Sequence, residues 1–114
     1  MQFLLLIYEP EQRWNALSEA EQGAEYGEYA AFGQEFAKEI QNGNALQPTP
    51  TAKTIRVRGG KQLVTDGPFA ETKEQLGGYY LVEAKDESAA LAMAAKIPAV
   101  RSGSIEVRPV MVFS

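Results

Sequence analysis

Residues 2–8, Gln-Phe-Leu-Leu-Leu-Ile-Tyr, are almost wholly apolar in both side-chain phases, and this constrains the fold more than any other segment. Successive side chains of a strand point to opposite faces, so a strand that reads this way is covered on both sides and lies in the middle of a sheet. Glu9-Pro10 ends it. A second run, Tyr79-Tyr80-Leu81-Val82-Glu83-Ala84, is opened by Gly77-Gly78 and is apolar in both phases from Tyr79 to Val82. Two such strands define a sheet that needs cover on both faces.

The helices available to cover it are few. Ser18 followed by Glu21 has the capping-box form and predicts a long helix from about Ser18, with the stripe Tyr29, Phe32, Phe36, Ile40 on one face. Asn42-Gly43 is expected to end it, and Gln47-Pro48-Thr49-Pro50-Thr51 to form a loop. Asp86 is a natural N-cap for a second helix that turns Leu91, Ala94 and Ile97 to the core, with Pro98 as its stop. Trp14 lies in a polar connection and is expected to pack under a loop.

Between the helices, Thr54-Ile55-Arg56-Val57-Arg58, Gly59-Gly60 and Lys61 to Thr65 form a hairpin with a two-residue turn. Asp66-Gly67-Pro68 breaks its second arm, and Ala70 to Gln75 forms a loop or a single helical turn. The closing strand runs from Ser104 to Val110, with Ile105 and Val107 alternating against Glu106 and Arg108, and an apolar tail Met111-Val112-Phe113 follows. The order strand, helix, hairpin plus strand, helix, strand gives an α+β fold: a ferredoxin-like antiparallel sheet with one additional strand and two helices on one face. Right-handed crossovers put both helices on the same side. The other face of the sheet is therefore expected to meet a second copy in a homodimer.

With 114 residues, 45% of them hydrophobic, one domain over residues 1–114 is expected. The net charge of −4 argues against nucleic acid and against anionic membranes as partners. The N-terminal strand has neither the basic flank of a signal peptide nor the length of a membrane span, and absence of cysteine is compatible with a cytoplasmic location. With no His and no Cys, the usual zinc, copper and haem ligand sets cannot be assembled, so no metal site is expected beyond an all-oxygen cage for a hard cation. No cofactor is expected either, since Gly77-Gly78 has neither a Walker nor a dinucleotide-binding spacing. Proton transfer would fall to Asp, Glu, Lys or Tyr.

The segment Leu63-Val64-Thr65-Asp66-Gly67-Pro68-Phe69-Ala70-Glu71-Thr72-Lys73-Glu74-Gln75-Leu76-Gly77-Gly78-Tyr79 is very similar to the one that gives the DGPF group of the YCII-related proteins its name. Ile7-Tyr8, Ala45-Leu46-Gln47-Pro48 and Gly103-Ser104-Ile105-Glu106-Val107-Arg108-Pro109-Val110 extend the resemblance over nearly the whole chain. It implies a dimeric α/β barrel. Some relatives in the wider superfamily look like lyases or dehydrochlorinases that use a His-Asp pair, and many DGPF proteins are encoded beside extracytoplasmic-function sigma factors, which implies a third role as a sigma-factor-associated module. The His-Asp chemistry needs a histidine; where one would fall, this chain has Glu25, Tyr26, Glu28 and Tyr29.

Two carboxylates are candidate catalytic groups. Asp66 stands at a strand end where a rigid turn can aim it into a cleft, although Asp before Gly also serves simply as a turn acceptor. Glu25 lies one turn before Tyr29 and so extends the apolar stripe, unless the first turns of the helix fray and leave it in water. Burial is what makes a carboxylate a useful acid or base near neutral pH. Candidate ligand contacts are Tyr8 at the end of the first strand, Tyr29, Gly67, Pro68, Phe69, Glu71 and Lys73 on the loop, Gly78 as a pocket floor, and Arg108, which can hold an acidic ligand or pair with Asp66. Each has a plain structural alternative: core or interface packing for Phe69, solvent exposure for Glu71 and Lys73, a bulge for Gly78, a surface ion pair for Arg108. The leading reading is a small-molecule-binding dimer with its pocket between the sheet and the first helix, rimmed by the Asp66-Gly67-Pro68-Phe69 loop. The alternative is a lyase- or isomerase-type enzyme that moves a proton through Asp66 or Glu25.

Overall fold

The computed structural model describes residues 1–113. Strand β1 (Gln2–Glu9) lies in the interior of a four-stranded antiparallel sheet, flanked by β5 (Gln75–Glu83) and β6 (Ser104–Pro109), with β2 (Ile40–Ala45) on the far side of β5. The order β2-β5-β1-β6 is ferredoxin-like. Helices α2 (Glu19–Glu35) and α3 (Glu87–Ala94) carry the buried residues that meet one face of the sheet, and a short helix, α1 (Gln12–Ala16), fills the connection after β1.

The caps form as their residues dictate. Ser18 accepts from the Glu21 amide at 3.1 Å while Glu21 accepts from the Ser18 amide at 2.9 Å, which satisfies two otherwise orphaned donors at the start of α2. Asp86 accepts from the Ala89 amide at 2.8 Å. Trp14 sits on α1 and meets Tyr26 edge-on, with ring centroids 5.1 Å apart.

The core lies between the sheet and the two longer helices. Phe3, Leu5 and Ile7 of β1 and Val82 of β5 are buried against Phe32, Ala90, Met93, Ala94 and Ile97, with Tyr29, Phe36, Tyr80, Ile105 and Val107 packed at its edge. The opposite face shows rows set by the strand register: Arg108, Leu4, Leu81 and Asn42 in one, Glu106, Leu6, Tyr79 and Asn44 in the next. Leu4, Leu6, Tyr79 and Leu81 are only part-buried there.

Four expectations are corrected. Helix α2 stops at Glu35, and Ile40 to Ala45 is an edge strand rather than the helix end. The segment Ile40-Gln41-Asn42-Gly43-Asn44-Ala45 has little intrinsic strand preference, so its pairing with β5 overrides local propensity. Gly43 belongs to that pairing, because a Cβ there would stand 2.7 Å from the Tyr80 ring. Second, the hairpin β3 (Lys53–Arg58) and β4 (Lys61–Asp66) is a separate two-stranded ribbon and adds no strand to the main sheet. Its turn is as read: Gly59 and Gly60 have φ of 57° and 76°, the two positive values a type I′ turn requires. Third, α3 turns Ala90, Met93 and Ala94 inward, and Leu91 is exposed. Fourth, β5 begins at Gln75 and contains both glycines, with a bulge opposite Ile7 and Tyr8 that accommodates Gly77.

Candidate functional site

The end of β1, α1, the first half of α2 and the 3₁₀ turn Pro98–Arg101 converge on a half-buried group of charges. Pro10 turns the chain out of β1, and α1 carries Arg13 back over the strand end. Its Nη2 meets both oxygens of Glu25 on α2, at 2.9 and 2.8 Å, and Glu9 Oε2 at 3.2 Å; Nε reaches the same Glu9 oxygen at 3.3 Å. Ser102 Oγ donates to Glu9 Oε2 at 3.1 Å. Among the described residues Glu25 is the one buried charged residue, 9% exposed. Beside it, Arg101 pairs with Glu28 at 2.7 Å.

Gly103 fixes this corner. A Cβ at Gly103 would lie 2.0 Å from the Tyr8 carbonyl oxygen and 2.8 Å from Glu9 Cα, so only glycine lets the chain pass close enough to bring Ser102 to Glu9.

Tyr29 lies one turn after Glu25. Burial, and then the charges of Glu9 and Glu25, push its phenol far above the ordinary value, so it stays a neutral donor at any physiological pH. Desolvation opposes the Arg13 charge, but hydrogen bonding to Glu25 and the field of both carboxylates outweigh it and raise its pKa. Two carboxylates share one guanidinium, which leaves the trio one charge negative.

The sequence-predicted residues divide in space. Glu25 and Tyr29 come together, and the frayed-turn alternative for Glu25 is excluded. Tyr8 is in the corner through its backbone, at the Gly103 contact. Asp66 is elsewhere: it ends β4, exposed, paired with Lys53 and not with Arg108. Gly67 takes φ of 92° and accepts from Thr54 Oγ1 at 2.8 Å; Pro68 is part-buried, and Phe69 is 80% exposed, so it does not plug the core. Glu71 and Lys73 are exposed. Gly78 is buried where β5 meets β2, with Asn44 O 3.0 Å from a notional Cβ, and Arg108 pairs with Glu106 on the open sheet face. Among the described residues no hydrogen bond or ion pair joins residues 66–73 to Glu9, Arg13, Glu25 or Tyr29.

Sequence reasoning missed Glu9, Arg13 and Ser102. No local pattern marks them, because their meeting depends on the turn at Pro10 and on residues 93 positions apart in the chain. A surface depression of about 520 Å³ lies at another place, lined by Met1, Phe36, Glu39, Glu83, Lys85 and Met93 among others. It is wide and shallow, and none of the predicted residues lines it.

The YCII-related domain matches residues 1–114. This chain belongs to the YCII-related family. A relative in Rhizobium meliloti (strain 1021), an uncharacterized protein, is 34% identical over 117 residues, spanning 99% of this chain and 94% of its own length. Among solved structures, the chain is similar to the 5-chloro-2-hydroxyhydroquinone dehydrochlorinase of Burkholderia phenoliruptrix AC1100 in complex with 2,5-dihydroxybenzoquinone. The TM-score is 0.60 and the identity 13%, over 97% of this chain and 94% of that one. At that identity the likeness concerns the fold alone.

Proposed function

We propose that this YCII-related protein is a homodimer that binds a small anionic molecule at the Glu9–Arg13–Glu25–Tyr29 corner. The observation that carries the reading is the position of Arg13: a half-buried guanidinium between a helix and a strand end, 24% exposed, where packing alone would favour apolar groups. Buried ion pairs are weak contributors to stability, because desolvation cancels much of the attraction. A half-buried cluster whose Arg and Tyr have shifted ionisation is instead a mark of a functional site.

The geometry also suggests the ligand class. Arg13 holds Glu25 tightly and Glu9 loosely, so a planar carboxylate or enolate takes the fork edge that Glu9 occupies by displacing the Glu9 carboxylate toward solvent, which keeps two anions on the guanidinium rather than three. Tyr29 adds a neutral donor. The solved neighbour holds 2,5-dihydroxybenzoquinone, an acidic hydroxylated ring, which supports the reading by analogy of fold alone. Dimerisation rests on the open sheet face, where Leu4, Leu6, Leu81 and Tyr79 form a continuous apolar surface that a twofold contact would cover.

A melting screen against small carboxylates and acidic hydroxylated rings tests it. At a hundred times its Kd a ligand adds about 2.7 kcal/mol, on the order of 10 °C in Tm. Arg13→Lys keeps the charge but loses the fork and is expected to abolish the shift; an unchanged shift in that variant refutes the site.

A second reading, an isomerase- or lyase-type proton transfer, is favoured by the placement of the Glu25 carboxylate one turn from the protonated Tyr29. Under it Glu25→Gln abolishes turnover of a ligand found in the screen while binding persists. Asp66→Asn has no such effect unless the turn reaches the site from a second chain.

A further inference from the structure

We infer that the β3–β4 ribbon is an arm that packs on a second copy of this chain, a contact additional to the sheet-face dimer and resting on that reading. The radius of gyration is 16.2 Å, against about 13 Å for a compact chain of this length, and the ribbon is one of the parts that stand off. The bond from Gly67 N to Ala52 O at 2.7 Å only closes the ribbon on itself; the tie to the body comes just before its root, where the Thr49 amide and hydroxyl donate to the Glu11 carboxylate at 2.6 and 2.7 Å.

A lone two-stranded hairpin is marginal in water, and this one leaves Ile55, Val57, Leu63 and Val64 between 48% and 62% exposed. The register sorts them. Opposed residues share a face, so Ile55 with Val64 and Val57 with Gln62 make one apolar face, while Arg56 with Leu63 and Arg58 with Lys61 make a basic one. An apolar face that the chain's own body does not cover marks a contact surface.

Charge identifies the occupant. Residues 53–66 hold four cations, Lys53, Arg56, Arg58 and Lys61, and one acid, Asp66, so the ribbon carries +3; the whole chain carries −4, which leaves −7 on the remainder. On its exposed side helix α2 contributes Glu19, Glu21, Glu28 and Glu35 and no base, with Glu28 shared with Arg101 and Glu35 with Lys96. A basic arm and an acidic body in one chain are complementary between copies, and long-range attraction of this kind orients association. The Asp66–Phe69 turn at the root of the arm, remote from the Arg13 corner of its own chain, is carried toward the other copy with it.

The test mixes ¹⁵N-labelled and unlabelled protein, joins lysines to carboxylates with a carbodiimide and maps the links from Lys61 by mass. The arm contact gives mixed-isotope peptides that join Lys61 to glutamates of the body. Links of a single isotope composition, or a dimer in which Lys61 forms none, overturn it. In parallel, Ile55→Asp with Val57→Asp is expected to weaken dimerisation at least tenfold while the circular dichroism is kept, since both side chains are exposed in the single chain. A variant that dimerises as tightly as the wild type sinks the arm and leaves the sheet-face dimer standing. A wild-type mass of about 12.5 kDa in light scattering sinks both.

Discussion

Arg13 and Glu25 meet through both carboxylate oxygens at 2.9 and 2.8 Å, a contact that ties the first short helix to the middle of α2 across the end of the central strand. Both side chains are mostly out of water, 24% and 12% exposed, so the loss of one partner strands the other. Arg13→Ala is expected to cost about 2–3 kcal/mol, read as a fall in the urea midpoint with an unchanged slope. Arg13→Met with Glu25→Leu is expected to recover most of that, because a paired charge is replaced by packing; a double variant no better than the single one would show that the pair is itself the main stabiliser of the corner.

The capping box at Ser18 acts on a different link, the start of α2. Ser18→Ala removes the acceptor for the Glu21 amide and is expected to cost about 1 kcal/mol. Ser18→Asp keeps an acceptor at the same position and should lose only a few tenths. Thermal melts of the three proteins decide it, and equal stability of wild type and alanine variant would mean that the helix start frays in solution.

Tyr29 makes the protein sensitive to alkali. Its folded phenol ionises well above the unfolded value of 10.0, so the stabilisation is fully present below pH 10 and declines as pH rises toward the folded pKa, where the unfolded chain has already released its proton. Tyr80, raised by burial, acts the same way. Tyr29→Phe should flatten the fall of Tm above pH 10. The same slope in wild type and variant would assign the alkaline loss to other groups.

Gly103→Ala is expected to cost at least about 3 kcal/mol, since the new methyl meets the Tyr8 carbonyl and Glu9 Cα, both backbone. Gly23→Ala, on the open side of α2, has nothing within 4 Å and should stabilise by roughly 0.5–1 kcal/mol. A Gly103→Ala protein that melts with the wild type would mean that the β1 end and the turn before β6 are further apart than they stand here.

The doubly apolar strands, both caps and the Gly59-Gly60 turn were legible in the sequence because each is a local pattern with one physical solution. Strand β2 was not, since Ile40-Gln41-Asn42-Gly43-Asn44-Ala45 is a strand only through its partner Tyr79-Tyr80, and Ile40 fits a helical stripe equally well. The detachment of the ribbon escaped for the same reason: a hairpin reads alike whether or not it joins a sheet. In the site, Glu25 and Tyr29 could be found from helical spacing, whereas Arg13, Glu9 and Ser102 meet only through tertiary turns. The conspicuous Asp66-Gly67-Pro68-Phe69 motif marks a place in the chain, and in this fold that place is the root of the ribbon.

The binding corner is tested most directly by mapping amide chemical-shift changes on ¹⁵N-labelled protein against a library of small acidic fragments. Perturbations that cluster at Glu9, Arg13, Glu25, Tyr29 and Ser102, and that vanish in Arg13→Lys, are the predicted result. Fragments that gather instead at the Met1, Glu39 and Lys85 depression, or that bind the variant as well as the wild type, would contradict it.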